Sequence, residues 1–121
     1  MLHMSWIALA LAAGQAIGSH SQICGGAPKN WSALPIVPAN SRDLPVNVAE
    51  LTADGRLLWN HTAVTEVQAS EYLGLVAEFP GKSLMVLRVR QGADCTQVER
   101  VRELIESKLT CDAESCGEFD G

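Results

Sequence analysis

Apolar and polar side chains alternate over Val46-Asn47-Val48-Ala49-Glu50-Leu51, and this period-two pattern predicts a strand. Ala53-Asp54-Gly55 follows as a turn in which Asp-Gly supplies positive φ, and Arg56-Leu57-Leu58-Trp59-Asn60 reads as the partner strand, so the pair is a hairpin. The period then changes. Thr65 and Gln68 have the spacing of a capping box, and Val67, Ala69, Leu73, Val76 and Phe79 recur near helical spacing, which predicts a helix over 66–79 ended by Pro80-Gly81. Leu84-Met85-Val86-Leu87-Arg88-Val89-Arg90 is β-rich and mostly apolar, the pattern of an inner strand. Beyond the Gln91-Gly92-Ala93 turn, Asp94 or Thr96 caps a second helix lined on one face by Val98, Val101, Leu104, Ile105 and Leu109. The order ββαβα predicts an α+β fold: a two-layer sandwich with a small sheet (hairpin plus one strand) and two helices on one face.

The flanking segments read differently. Residues 6–18 form a 13-residue apolar run without a charge, shorter than the ~20 residues of a membrane span and within the range of a secretory core. Residues 1–20 are therefore expected to be a signal peptide, cut after Ala16 or Gly18, or else a short N-terminal anchor. Residues 21–45 carry four of the five prolines and read as an extended linker. The domain proper is expected over 46–111, with 112–121 a frayed acidic tail containing Cys116.

Charge is concentrated in that tail. The net charge of −5 includes Asp112, Glu114, Glu118 and Asp120, and without them ten acids face nine bases. A nearly neutral domain without a basic stripe argues against nucleic-acid binding.

Catalytic signatures are sparse. His61 is the one histidine inside the expected domain and sits in a turn, where an ordinary polar role suffices. No zinc-protease, nucleophile-elbow or phosphate-loop spacing occurs, so the chain reads as no enzyme and as needing no cofactor. Cys95, at the start of the second helix, has the dipole environment of a reactive thiol. Asp94 beside it and the exported setting favour a disulfide instead. Cys95 and Cys111 bracket that helix, sixteen residues apart, or about 24 Å at helical rise, far beyond the ~7 Å Cα separation of a disulfide. Two pairings survive: Cys111–Cys116 with Cys24–Cys95, which is preferred, and Cys95–Cys116 with Cys24–Cys111, in which the tail runs back along the whole helix. Four-cysteine zinc binding lacks the usual paired spacings.

Several stretches together resemble the periplasmic domain of the ExbD/TolR family of biopolymer transport proteins: Asp43-Leu44-Pro45 closing a proline-rich linker, Val48 to Asp54-Gly55, Leu57-Leu58-Trp59-Asn60 with Val64, Tyr72-Leu73, Val86 to Val89 followed by Asp94, and Val98-Glu99-Arg100-Val101. The resemblance covers about 43–109. It implies a non-enzymatic interaction module of the cell envelope, accessory to transport across it and periplasmic or inner-membrane-associated facing the periplasm. It also implies an envelope protein partner, such as a proton-motive-force transducing complex, with a homodimer as a further arrangement. The family's transmembrane aspartate has no counterpart, since no acid precedes Asp43, and its final strand, after the last helix, is expected to be replaced by the acidic tail. With only three strands, the sheet would have free edges for strand addition, and Val48 and Leu58 are the expected partner-binding positions. The alternatives are a thiol redox protein using Cys95 and a secreted disulfide-stapled binding protein.

Overall fold

A computed structural model describes residues 22–121; the leader or anchor expected over 1–20 lies outside the described residues. Over the described residues the fold is α+β, with a six-stranded mixed sheet and two helices. In chain order the elements are β1 (Ser32–Ala33), β2 (Val46–Leu51), β3 (Leu57–Trp59), β4 (Thr62–Val64), α1 (Glu66–Glu78), β5 (Leu84–Val89), α2 (Cys95–Lys108) and β6 (Cys116–Asp120). The sheet order is β1-β6-β5-β2-β3-β4.

Parallel β2, β5 and β6 form its centre, with Ala49 opposite Leu87 and Leu87 opposite Glu118. The steps from β2 to β5 and from β5 to β6 move the same way across the sheet, so two crossovers of the usual right hand leave both helices on one face. Burial follows that geometry. Ala69 and Leu73 of α1 and Val98, Val101 and Ile105 of α2 share one apolar core with Ala49, Leu51, Leu57, Met85, Leu87 and Val89. The capping box forms as the spacing predicts: Gln68 N–H donates to Thr65 Oγ1 at 3.1 Å, and Thr65 N–H to Gln68 Oε1 at 2.9 Å. At the second helix it is Asp94 that caps, accepting from Gln97 N–H.

The sheet is twice the size the sequence pattern predicts, and each extra strand has a cause. Asn60 and His61 both adopt positive φ, 47° and 75°, as a two-residue type I′ turn requires; the chain therefore doubles back and adds β4 to the hairpin. The expected linker is packed structure. Trp31 is buried in the main core, Ser32–Ala33 pairs with β6, and Leu34, Val37 and Leu44 cover Val46, Leu84 and Val86 on the sheet face away from the helices. Its prolines keep the chain extended while the apolar residues between them supply the packing. The close approach is clearest at Gly117, where a Cβ would meet Leu34 Cδ1 at 2.6 Å.

The expected frayed tail is the other correction. Residues 116–120 form β6, parallel to β5, with Cys116 and Glu118 fully buried. An acidic stretch can enter the sheet because Cys116, Glu118 and Asp120 alternate on the helix side, where α2 offers a cation. Phe119, on the opposite face, lies under the Arg88 guanidinium at 5.2 Å.

Candidate functional site

Two regions carry features that the core does not explain: the outer edge beside β4, and a charged cluster where the N-terminal segment meets α2 and β6.

The outer edge is not where the sequence pattern places it. Val48 lies in β2, between β5 and β3, and Leu58 lies in β3, between β2 and β4. Both are interior because the Asn60-His61 turn adds a strand outside Leu58 and the crossover places β5 beside Val48. Among the described residues the outermost strands are β4 and β1. Along β3, the odd and even residues alternate in the direction of their backbone bonds: Thr52 N–H donates to Arg56 C=O and Asn60 N–H to Val48 C=O, so Arg56, Leu58 and Asn60 point their amides at β2. Leu57 and Trp59 therefore bond to β4, through Val64 and Thr62. Ala63, opposite Leu58, is left with its N–H and C=O directed outward, and its side chain is exposed.

The β4 edge runs straight into α1 through the Thr65 cap. That helix buries Ala69 and Leu73, but Val67 is 70% exposed, Leu75 65% and Phe79 46%. Val67 and Phe79, expected on the core side, are instead exposed; Glu71 separates Val67 from Leu75, and Leu75 and Phe79 lie beside Pro45, Asn47 and Ser83. Tyr72, partly exposed, stacks at 5.5 Å on Trp59 of β3. The helical period shows that α1 has apolar positions; only the tertiary packing decides which of them the core uses.

The second region is built around Arg102, whose side chain is 5% exposed. Its Nε and Nη2 donate to Glu118 Oε1 and Oε2 at 2.9 and 2.7 Å, a bidentate pair. Nη1 donates to Cys24 C=O at 2.7 Å and to Glu99, and Nη2 also donates to Ile23 C=O at 3.1 Å. Ile23 N–H in turn donates to Asp120 Oδ2 at 2.8 Å. One guanidinium thus ties the N-terminal segment to α2 and β6. Burial pushes the Glu118 carboxyl up to about 7, with adjacent Asp120 adding to the rise and Arg102 opposing it. Burial also works against the charge on Arg102, but its bonds to Glu118 and Glu99 outweigh that and hold its pKa above the ordinary value. In the sequence Arg102 has the look of a surface charge, and its one signal of burial is its position directly after Val101.

The four cysteines form two disulfides, Cys24–Cys95 and Cys111–Cys116, with no free thiol. The first fastens the N-terminal segment, where Cys24, Gly25 and Gly26 all have positive φ, to the first residue of α2. The second closes the turn into β6, where Asp112 Oδ1 accepts from the amides of Glu114 and Ser115 and is thereby held below the usual carboxylate range. His61 occupies the exposed type I′ turn. Among the described residues, no group of three or more His, Cys, Asp or Glu side chains is placed to hold a metal ion, and no helix is long and apolar enough to cross a membrane.

Comparison of the chain with family models, with curated proteins and with solved structures finds no match.

Proposed function

We propose that this chain is a non-enzymatic interaction module of an exported compartment, related to the ExbD/TolR periplasmic domain, that captures an extended segment of an envelope protein by strand addition at β4. The observation that carries the reading is the β4 edge, which no strand among the described residues covers, with the outward amide of Ala63. An added strand takes its main-chain bonds from such an edge. Two disulfides support an oxidising compartment, as does the apolar run over residues 6–18. The family resemblance gains support from β6, a final strand after the last helix. A role accessory to biopolymer transport belongs to the same proposal.

Proline at position 63 tests the edge. Ala63 N–H points away from β3, so Ala63→Pro removes the outward donor without breaking a bond inside the sheet. The variant is expected to keep its fold, seen as an unchanged circular dichroism spectrum. A photo-crosslinker at Thr62 should couple to an envelope protein in the parent and lose that adduct in the variant. A folded Ala63→Pro protein that gives the same adduct in the same yield would end the edge reading.

One observation favours a second reading. Cys95 is exposed at the first position of α2, where the dipole stabilises a thiolate once the bond to Cys24 is reduced. A thiol redox protein would show Cys95 cycling with a redox partner, which a permanently oxidised chain would not.

A further inference from the structure

Among the described residues Arg102 is the one buried cation; it donates to Glu118 and Glu99, and Asp120 adjoins Glu118. Glu118 has no exposed side-chain surface. Asp120 uses Oδ2 to accept from Ile23 N–H, but its Oδ1 is buried without a donor among the described residues. A buried acceptor left without a donor costs about 1–3 kcal/mol, and a proton on neighbouring Glu118, two residues away on the same side of β6 and within hydrogen-bonding reach of Asp120, would satisfy it. The other elements packed around Glu118 offer no relief. Its cross-strand neighbours are Leu87 of β5 and Ala33 of β1, α2 contributes Arg102 and Glu99, and the N-terminal segment contributes Lys29, which is exposed on the rim of the shared cavity. That cavity, about 460 Å³ between residues 22–35 and β6, has both Glu118 and Asp120 in its lining.

We propose that the Glu118–Asp120 carboxyl pair is a proton-operated latch that holds residues 22–28 closed over α2 and β6 when it carries one proton and loosens them when both carboxyls are ionised. With the proton present, Glu118 donates to Asp120 Oδ1 and the charges of Asp120 and Arg102 offset each other. Without it, Glu118 and Asp120 carry one negative charge more than the guanidinium, and lifting the segment hydrates them. The direction follows from linkage. The closed state holds the Glu118 proton up to about pH 7, whereas a hydrated glutamate releases it near 4.5, so opening becomes progressively more favourable as pH rises from about 4.5 to 7 and levels off above. The Cys24–Cys95 disulfide limits how far the segment moves without preventing it. The consequence is control over the point where residues 1–21 join the domain.

Hydrogen exchange at the Ile23 amide, with the disulfides intact and corrected for the intrinsic pH dependence of exchange, tests the latch. Its protection factor should fall at least tenfold between pH 5 and pH 8, while that of Leu87 in β5 changes far less. In Glu118→Gln, whose amide donates to Asp120 at every pH, Ile23 should stay protected at both. Equal Ile23 protection at pH 5 and pH 8 in the parent chain overturns the proposal whether or not the variant folds. So does a Glu118 carboxyl that titrates near 4.5 when followed by carbon NMR.

Discussion

Replacing Arg102 by methionine removes the one cation from the charged cluster while keeping a stem of similar length. In the parent, Arg102 makes two bonds to Glu118 at 2.9 and 2.7 Å and two to the carbonyls of Cys24 and Ile23 at 2.7 and 3.1 Å. The variant leaves Glu118 buried against Asp120 with no counter-charge. Removing one partner of a buried pair costs about 3–5 kcal/mol, a large part of the roughly 5–15 kcal/mol that holds a domain folded. The cost depends on protonation. At pH 8 Glu118 must either stay ionised or take up a proton against the solution pH, so the full penalty applies. At pH 5 it is neutral already, and what remains is the loss of two carbonyl bonds and some packing, about 1–2 kcal/mol. Urea unfolding followed by tryptophan fluorescence at the two pH values, without reductant, measures both numbers. The double variant Arg102→Met/Glu118→Leu supplies the control, because an apolar pair of similar volume should recover most of the loss at pH 8. A destabilisation at pH 8 below about 1 kcal/mol, or one that is equal at both pH values, would refute the reasoning.

The two disulfides should differ in weight. Cys24–Cys95 closes a separation of 71 residues and Cys111–Cys116 one of 5, so by loop-closure entropy the first is worth about 4 kcal/mol and the second about 2. Equilibrium unfolding of Cys24→Ser/Cys95→Ser and of Cys111→Ser/Cys116→Ser checks that order, and a reversed ranking would show that native-state strain or residual structure dominates. Trp31→Ala is expected to cost about 3–5 kcal/mol, since the indole is 6% exposed within the main core. A loss typical of a flexible linker, below about 0.5 kcal/mol, would show that the segment before β2 is not part of the folding unit.

The centre of the fold was legible because its determinants are local. The hairpin turn, both helix caps and the apolar run of β5 each lie within a few residues of sequence, and period and capping chemistry read them directly. The cysteine pairing was narrowed by one length, that of α2, which holds Cys95 and Cys111 apart. What escaped depends on contacts between distant residues. Val67 and Phe79 satisfy the helical period as well as Leu73 does, and only the position of β4 and α2 leaves them outside. Val48 and Leu58 look like edge positions in a three-stranded sheet; β5 encloses Val48, and the turn at Asn60-His61 adds the strand that encloses Leu58. Asn60-His61 lacks the glycine that makes such a turn conspicuous.

Glu118 shows the same limit at the level of charge. Counted along the chain, it belongs to an acidic tail and argues for solvent. Sixteen residues earlier, Arg102 looks like one more surface charge of α2. Folding brings the two together, and each accounts for the other's burial: without Arg102 the tail has no reason to enter the sheet, and without β6 the guanidinium has no anion to justify its place under the N-terminal segment. Both disulfides lie in this same half of the molecule. The half containing β3, β4 and the outer side of α1 has no covalent staple, and its links are softer ones, the Trp59–Tyr72 stack and the exposed Arg100–Glu66 pair. Local stability follows such contacts rather than the global average. The proposed capture edge therefore sits in the part of the fold best able to adjust to an added strand, while the proposed latch sits in the part that is fastened.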